Sequence, residues 1–577
     1  MALFLPIWII LTLVAAFTTA WFVGRAAGAP FQQIGKFPMD LAGSPQFGWP
    51  PGACLAVALF GLFVVGYGAL ILAGEDFAWL DNSCFTLFTL KGRNIDPPIE
   101  PEAGRFYPLG FQEFNLLRHF GGSIVAYHAL PIFQLLAASF FFLTLDDKLK
   151  MTARVCLAAF VLMTPGVVIA FGGLIYQERN VVFWLLCLAF FIKRFDRTQS
   201  TASAVAATVC AQFMLYYKET AFLLLWGLVA GRLLLRCRNA DPPGWDFRRL
   251  REKASRLDLC LASLGLVFLL YYGAVMFRHT SLQYAHQQRI PEAQVLLAYL
   301  KMDLLAWLFL AVVIGRSCLI WRRRIAPSLL WDGLAYGAAA YFAGFLFLGL
   351  VSPYYLAPVD VIAVLCLGRL AVLSYGKLQP GIRVAALLLL FAILFQNVAL
   401  SVFREFERKN FIRANAAIAG VVQAQCQARA GNALRLFFPF SSRNLTMEFG
   451  AYLSYRGLRV EGAGDESAGT NRVVLVSRAM TKDGLLQDDT SIVGHAGRMP
   501  EPGDLVIVLP EDEVSLAGTT AFRDQGDLLL SYEPRPRLPR WFDLLARRLD
   551  FPRPNSGPIP DRWLNASVTL WTESKKP

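Results

Sequence analysis

The chain has 577 residues, 56% of them hydrophobic and 13% aromatic, with a mean hydropathy of +0.46. That balance excludes a soluble globule and implies a polytopic membrane protein. The net charge of +13 is no argument for nucleic acid, because most of the basic excess sits in short loops between apolar runs.

Apolar stretches of bilayer-crossing length fall at 3–24, 53–74, 121–143, 153–173, 180–195, 201–216 and 219–236, then at 257–277, 303–321, 329–351, 354–375 and 381–402. The expectation is therefore about twelve spans. Four connecting segments are basic: Lys148 to Arg154, Lys193 to Arg197, Arg232 to Arg256, and Arg316 to Arg324. All four fall on one side, which the positive-inside rule makes cytoplasmic. The N-terminus and everything after about residue 403 are then expected outside. Ten cysteines without a Cys-x-x-Cys pair give no metal or disulfide framework; Cys84 and Cys426 would share the outer side.

The outer side receives the suspicious polar residues, taken here in chain order. Glu75 and Asp76 follow the uncharged run 53–74. Carboxylates at a membrane boundary are costly and often serve chemistry, although they also simply mark helix ends. The loop they open, 75–120, is long and aromatic and carries Arg105, Arg118 and His119; it is either functional or an interfacial belt. Glu178, after Tyr176, stands between an outgoing and an ingoing span. It can approach Asp76 as base and orienter, or share a divalent metal with it, or be a solvated turn beside Arg179.

Lys218 and Glu219 are squeezed between two spans with almost no linker, so they are expected to point into a shared polar cavity. An ammonium there suits a phosphate, and the bland alternative is an internal ion pair. Arg278, His279 and His286 fall in the next outer loop and offer phosphate contacts or acid/base groups. Asp303, Asp332 and Asp360 lie near span ends and do not trace a path through the membrane. After residue 403, β-rich runs at Leu434–Phe438, Val473–Val476 and Leu505–Val508 surround a helical Met447–Tyr455. The expected organisation is a mainly α, polytopic helical bundle over 1–402 with the outer loop 75–120, and a C-terminal extracytoplasmic α/β domain over 403–577.

These features, in this order and on one side, resemble the GT-C superfamily of integral-membrane glycosyltransferases, in particular the protein O-mannosyltransferase and lipid A aminoarabinose transferase types. Glu75-Asp76 matches the acidic pair that opens the first outer loop, Glu178 the later acidic residue, and Tyr217-Lys218-Glu219 the lysine-bearing turn. Ser352-Pro353-Tyr354-Tyr355 is similar to the late aromatic-proline segment, without the arginine often found at its start.

The resemblance covers residues 53–402. It implies transfer of a sugar from a polyprenyl-phosphate donor to a glycan, lipid or protein hydroxyl at the outer interface of a bacterial inner membrane. Asp76, with Glu75 as runner-up, would be the general base of a single inverting displacement. Lys218 with Arg105, Arg118 or Arg278 would hold the donor phosphate. Glu219, Tyr176, His279, Tyr354 and Tyr355 would line the site. Some members of the family use a divalent metal. A lipid-linked sugar flippase is the main rival, but it calls for polar residues through the membrane and repeat symmetry. An O-antigen ligase or polymerase would shift function to a later large loop, and a non-catalytic assembly protein would leave so many spans unexplained.

Overall fold

The protein is described from a computed structural model covering residues 4–24, 51–80, 88–100, 105–238, 255–276, 291–429, 433–441, 443–461, 472–480, 486–488, 500–510, 526–532, 539, 541–542, 545 and 566–572. The expectations for Cys84, Arg278, His279 and His286 lie outside the described residues. Two compact units divide the chain. One comprises Met1–Ile71, Asp96–Glu113 and His128–Ser401; the other comprises Leu72–Ile95, Phe114–Tyr127 and Val402–Pro577.

The first unit is helical. Its helices include α1 (Phe4–Gly24), α2 (Pro51–Leu72), α3 (Gln112–Leu117, which extends past Glu113), α4 (Ile124–Thr144), α5 (Met151–Leu162), α6 (Pro165–Gly172), α7 (Glu178–Thr198), α8 (Thr201–Tyr217) and α9 (Ala221–Arg238). There follow α10 (Arg256–Met276), α11 (Glu292–Met302), α12 (Leu304–Trp321), α13 (Leu329–Leu348), α14 (Ala357–Ser374) and α15 (Pro380–Ala428), which passes into the second unit after Ser401.

Eight of the described helices are long and apolar enough to cross a membrane, or nine if the bent pair α5–α6 counts as one span. The chain is an integral membrane protein. A helix occupies each of the twelve expected stretches, but α7 and α9 end in basic turns and α8 has only 17 residues. Two boundaries differ from the sequence expectation. The stretch 153–173 is broken by 66° at Thr164, where Pro165 starts a new helix, a position it favours because its missing N–H is not needed there. The stretch 381–402 continues unbroken to Ala428; at 1.5 Å per residue this helix runs for about 74 Å.

Side chains identify the two ends of the first unit. At one end the four basic segments meet. Lys193 Nζ donates to the Thr144 carbonyl at 2.7 Å and to Asp147 at 2.9 Å. Arg232, fully buried, bridges Asp196 at 2.8 Å and Asp258 at 2.7 Å. Arg238 caps the Trp321 carbonyl and Arg256 that of Phe22.

Within the bundle α9 and α13 cross almost backbone to backbone. A Cβ at Gly337 would stand 2.6 Å from the Leu224 carbonyl oxygen, and one at Gly227 2.7 Å from the Gly337 Cα. Small residues permit such approach, and lipid-embedded helices use them to maximise packing. Gly337→Ala should therefore cost about 1–3 kcal/mol through overpacking and lower the thermal unfolding temperature in detergent. An unchanged temperature would contradict the tight crossing.

The second unit carries a seven-stranded sheet. Besides β1 (Ile99–Glu100) and β2 (Arg105–Phe106) of the first unit, the strands are β3 (Leu434–Phe438), β4 (Arg459–Glu461), β5 (Arg472–Met480), β6 (Leu486–Asp488), β7 (Leu505–Val508), β8 (Gly526–Ser531) and β9 (Ser567–Trp571). The order is β4-β5-β3-β7-β9-β8, with β6 paired to β5. β3, β4, β5 and β7 are parallel, while β8 and β9 add antiparallel pairs. β7 is buried at every position, as expected of a parallel strand covered on both faces. The helix α16 (Arg443–Tyr455) connects β3 to β4, the right kind of element for a parallel crossover.

Candidate active site

At the end of the first unit opposite the basic segments, three short connections converge. The first holds β2 and its following turn. The Leu109 N–H donates to the Tyr216 carbonyl at 3.0 Å, fastening the turn to the end of α8. The second is Lys218-Glu219-Thr220 between α8 and α9. The third is the one-turn 3-10 helix Pro353–Leu356 before α14. It packs against the start of α6 so closely that a Cβ on Gly166 would lie 2.7 Å from Asp360 Oδ2 and 2.8 Å from the Pro353 carbonyl oxygen.

Two ion pairs stand side by side there. Lys218 Nζ lies 3.0 Å from Glu178 Oε1, with side-chain exposures of 9% and 1%. Arg105 Nε donates to Glu219 Oε1 at 2.9 Å. The remaining Glu219 oxygen is buried and has no hydrogen-bond partner among the described residues. Burial alone would raise the Glu219 carboxyl, but Arg105 and then Lys218 outweigh it and hold the group below its ordinary value of 4.5. A depressed carboxylate contributes stability that is present above its unfolded value and lost as pH falls through the folded one. Thermal stability should thus drop as the solution is acidified below about pH 4.5, and Glu219→Gln should flatten that part of the profile. A profile of the same slope in both proteins would rule the pair out as its source.

Aromatic rings enclose these charges. The Arg105 guanidinium lies 4.6 Å from the Tyr107 ring centroid, and Lys218 Nζ lies 5.3 Å from that of Tyr355 and 6.0 Å from that of Tyr107. Tyr176 packs on Tyr354 at 4.4 Å, and Tyr354 meets Tyr355 edge-on at 4.5 Å. Cation–π contacts of this kind strengthen as water is excluded.

Behind Glu178 a buried polar network fixes the start of α7. Arg179 donates to Glu113 at 3.2 Å and to the carbonyls of Gly173 and Leu174. Asn180 links Glu113, Gln177 and Gln134. Burial pushes the Glu113 carboxyl up against the pull of Arg179 and Asn180. Sequence reasoning passed over Glu113; its polarity inside an otherwise aromatic segment is the signal that could have found it.

The other expected site residues belong to the second unit and are described within it. Glu75 is buried in an ion-pair cluster with Arg408 and Lys409, and Arg408 in turn holds Glu405 at 2.7 Å. Asp76 is differently placed. Its Oδ1 accepts the Phe77 N–H at 2.7 Å, and its Oδ2 accepts the Tyr452 hydroxyl at 2.7 Å. Among the described residues Asp76 pairs with no cation. Burial first, and then Asp76, hold the Tyr452 phenol above its usual range. Arg118 donates to the Gly92 carbonyl at 2.9 Å on an exposed edge. Among the described residues no three His, Cys, Asp or Glu side chains gather to hold a metal.

The structure so far defines a mainly helical integral-membrane protein, with a C-terminal sheet-bearing unit and a paired-charge, tyrosine-lined site at one end of its bundle. Among solved structures the chain is similar to ArnT from Cupriavidus metallidurans, crystallised bound to undecaprenyl phosphate, at 14% identity over 71% of this chain and 86% of that one, with a TM-score of 0.42. No family model matches the sequence, and no curated protein does. So slight a likeness leaves the chemistry to be read from the side chains.

Proposed function

We propose that the protein is a glycosyltransferase that moves a sugar from a polyprenyl-phosphate donor to an acceptor hydroxyl at the outer interface of a bacterial inner membrane, and that its sheet-bearing unit is extracytoplasmic. The observation that carries this reading is the juxtaposition of Lys218 and Arg105, each paired to a glutamate and each against a tyrosine face, at the end of the bundle away from the basic segments. The positive-inside rule assigns that end to the outside.

A phosphate leaving group gains charge as the glycosidic bond breaks, and preoriented cations in a dry site stabilise that charge. Lys218 and Arg105 supply them, while Tyr354, Tyr355 and Tyr176 offer apolar faces to the first isoprene units or to the sugar. The acceptor hydroxyl attacks the anomeric carbon and gives up its proton. Of the four carboxylates considered, Glu75, Glu178 and Glu219 are each held by a cation. Asp76 pairs with no cation among the described residues, and is assigned as base of one inverting displacement.

The test is reconstitution of the full chain in liposomes with a panel of sugars linked to undecaprenyl phosphate, reading release of undecaprenyl phosphate. Release that depends on an added acceptor is expected. No release from any donor, together with no binding of undecaprenyl phosphate, would sink the reading.

A further inference from the structure

Within the second unit, the last turn of α16 is built around Asp76. The helix stops at Gly457, whose φ of +86° suits a residue without a Cβ. There the Gly457 N–H donates to the Ser454 carbonyl at 3.1 Å and the Leu458 N–H to that of Leu453 at 3.1 Å, a closure that satisfies carbonyls a helix end leaves open. Arg456 is thereby held four residues beyond Tyr452, on the same face. Its Nη1 donates to the Tyr452 hydroxyl at 3.3 Å, and that hydroxyl donates to Asp76 Oδ2 at 2.7 Å. Tyr452 is fully buried. Arg456 is half-buried and has no carboxylate partner among the described residues. Phe77, whose N–H occupies Asp76 Oδ1, packs edge-on against Tyr455 at 5.1 Å, so the peptide bearing Asp76 is fixed to the helix on both sides.

The contrast with the neighbouring Glu75 is informative. Arg408 and Lys409 hold Glu75 directly, whereas a phenol stands between Arg456 and Asp76. Hydrogen bonds in series polarise one another, so the guanidinium reaches Asp76 through the hydroxyl without covering it. A carboxylate offers about four lone-pair positions. Phe77 and Tyr452 take one on each oxygen, and the others have no partner among the described residues. We propose that Tyr452 and Arg456 are positioning residues of the transfer reaction, the phenol holding the Asp76 carboxylate in one orientation and the guanidinium strengthening that hold. This rests on Asp76 acting as the base. The acceptor's proton goes to a lone pair of Asp76 left open, and neither Tyr452 nor Arg456 gains or loses one.

The test is turnover of the reconstituted full chain, with kcat, KM for each substrate and the amount of folded protein measured together. Tyr452→Phe keeps the ring and removes the hydroxyl. Its kcat should fall about 10–10²-fold, the loss of one hydrogen bond to a charged group, with both KM values unchanged. Arg456→Gln keeps a donor without the charge and should lower kcat by less, and Arg456→Lys should recover it. In the Asp76→Asn background Tyr452→Phe should cause no further fall, because residues that act as a unit are not additive. Ser454→Ala, which removes the bond from the same helix to Lys91 at 2.6 Å, should leave turnover unchanged. An unchanged kcat in Tyr452→Phe, equal kcat in the two Arg456 variants, or the same fall in both Asp76 backgrounds overturns the proposal and leaves Asp76 as base. A fall in Ser454→Ala as large as that in Tyr452→Phe would assign the effect to helix docking and overturn it as well. Full turnover by Asp76→Asn alone overturns the base and its positioning together.

Discussion

Asp76→Asn is expected to lower sugar transfer by about 10²–10⁴-fold, the usual range for loss of a positioned general base. The amount of folded protein should not change. Asparagine can still accept the Phe77 N–H with its carbonyl oxygen, and its amide can donate to the Tyr452 hydroxyl that now donates to Asp76. What disappears is the ability to take a proton. Glu75→Gln is the informative contrast: it removes the buried charge that compensates Arg408 and Lys409, so it should reduce folded protein before it affects turnover. Turnover and size-exclusion profiles of the two variants in parallel separate chemistry from folding. Wild-type turnover by the asparagine variant would remove Asp76 from the reaction.

Lys218→Ala should act on the donor. Loss of one preoriented charge at a leaving group costs about 10²–10³-fold in turnover, and donor affinity should fall more than acceptor affinity. The variant also strands Glu178, 1% exposed, as an unpaired buried carboxylate, which costs about 3–5 kcal/mol. Adding Glu178→Gln to Lys218→Ala should restore thermal stability without restoring transfer. Recovery of both together would make the pair structural and nothing more. Lys218→Arg, which keeps the charge but changes its shape, should retain partial activity with a raised KM for donor.

The spans were the most legible part of the chain, because a bilayer dictates length and apolarity together and 53–74 or 3–24 satisfy both without a charge. The β-runs near 434, 473 and 505 were legible for a related reason, since buried parallel strands leave short, uninterrupted apolar words. Breaks were harder. Thr164-Pro165 bends an apolar stretch that reads as continuous, because a proline in a helix's first turn costs nothing by itself and only packing makes it a corner. The turn at Lys218 was readable, since so short a linker forces its charges inward.

The partners were not readable. Glu178 meets Lys218 across 40 residues and Asp76 meets Tyr452 across 376, and no local pattern encodes either choice. The loop 75–120 reads as one insertion, yet Leu72–Ile95 groups with the C-terminal unit and Asp96–Glu113 with the helical one.

Gly166 has a consequence that reaches beyond its own helix. A single methyl group there would press on the peptide that introduces Tyr354 and Tyr355, so the height of that aromatic shelf is governed by a hydrogen atom on a neutral residue. Widening or narrowing the space beside those rings therefore requires no alteration of any charge. Under the proposed function, a change in carrier-lipid fit is reached through this shim with the ion pairs left alone.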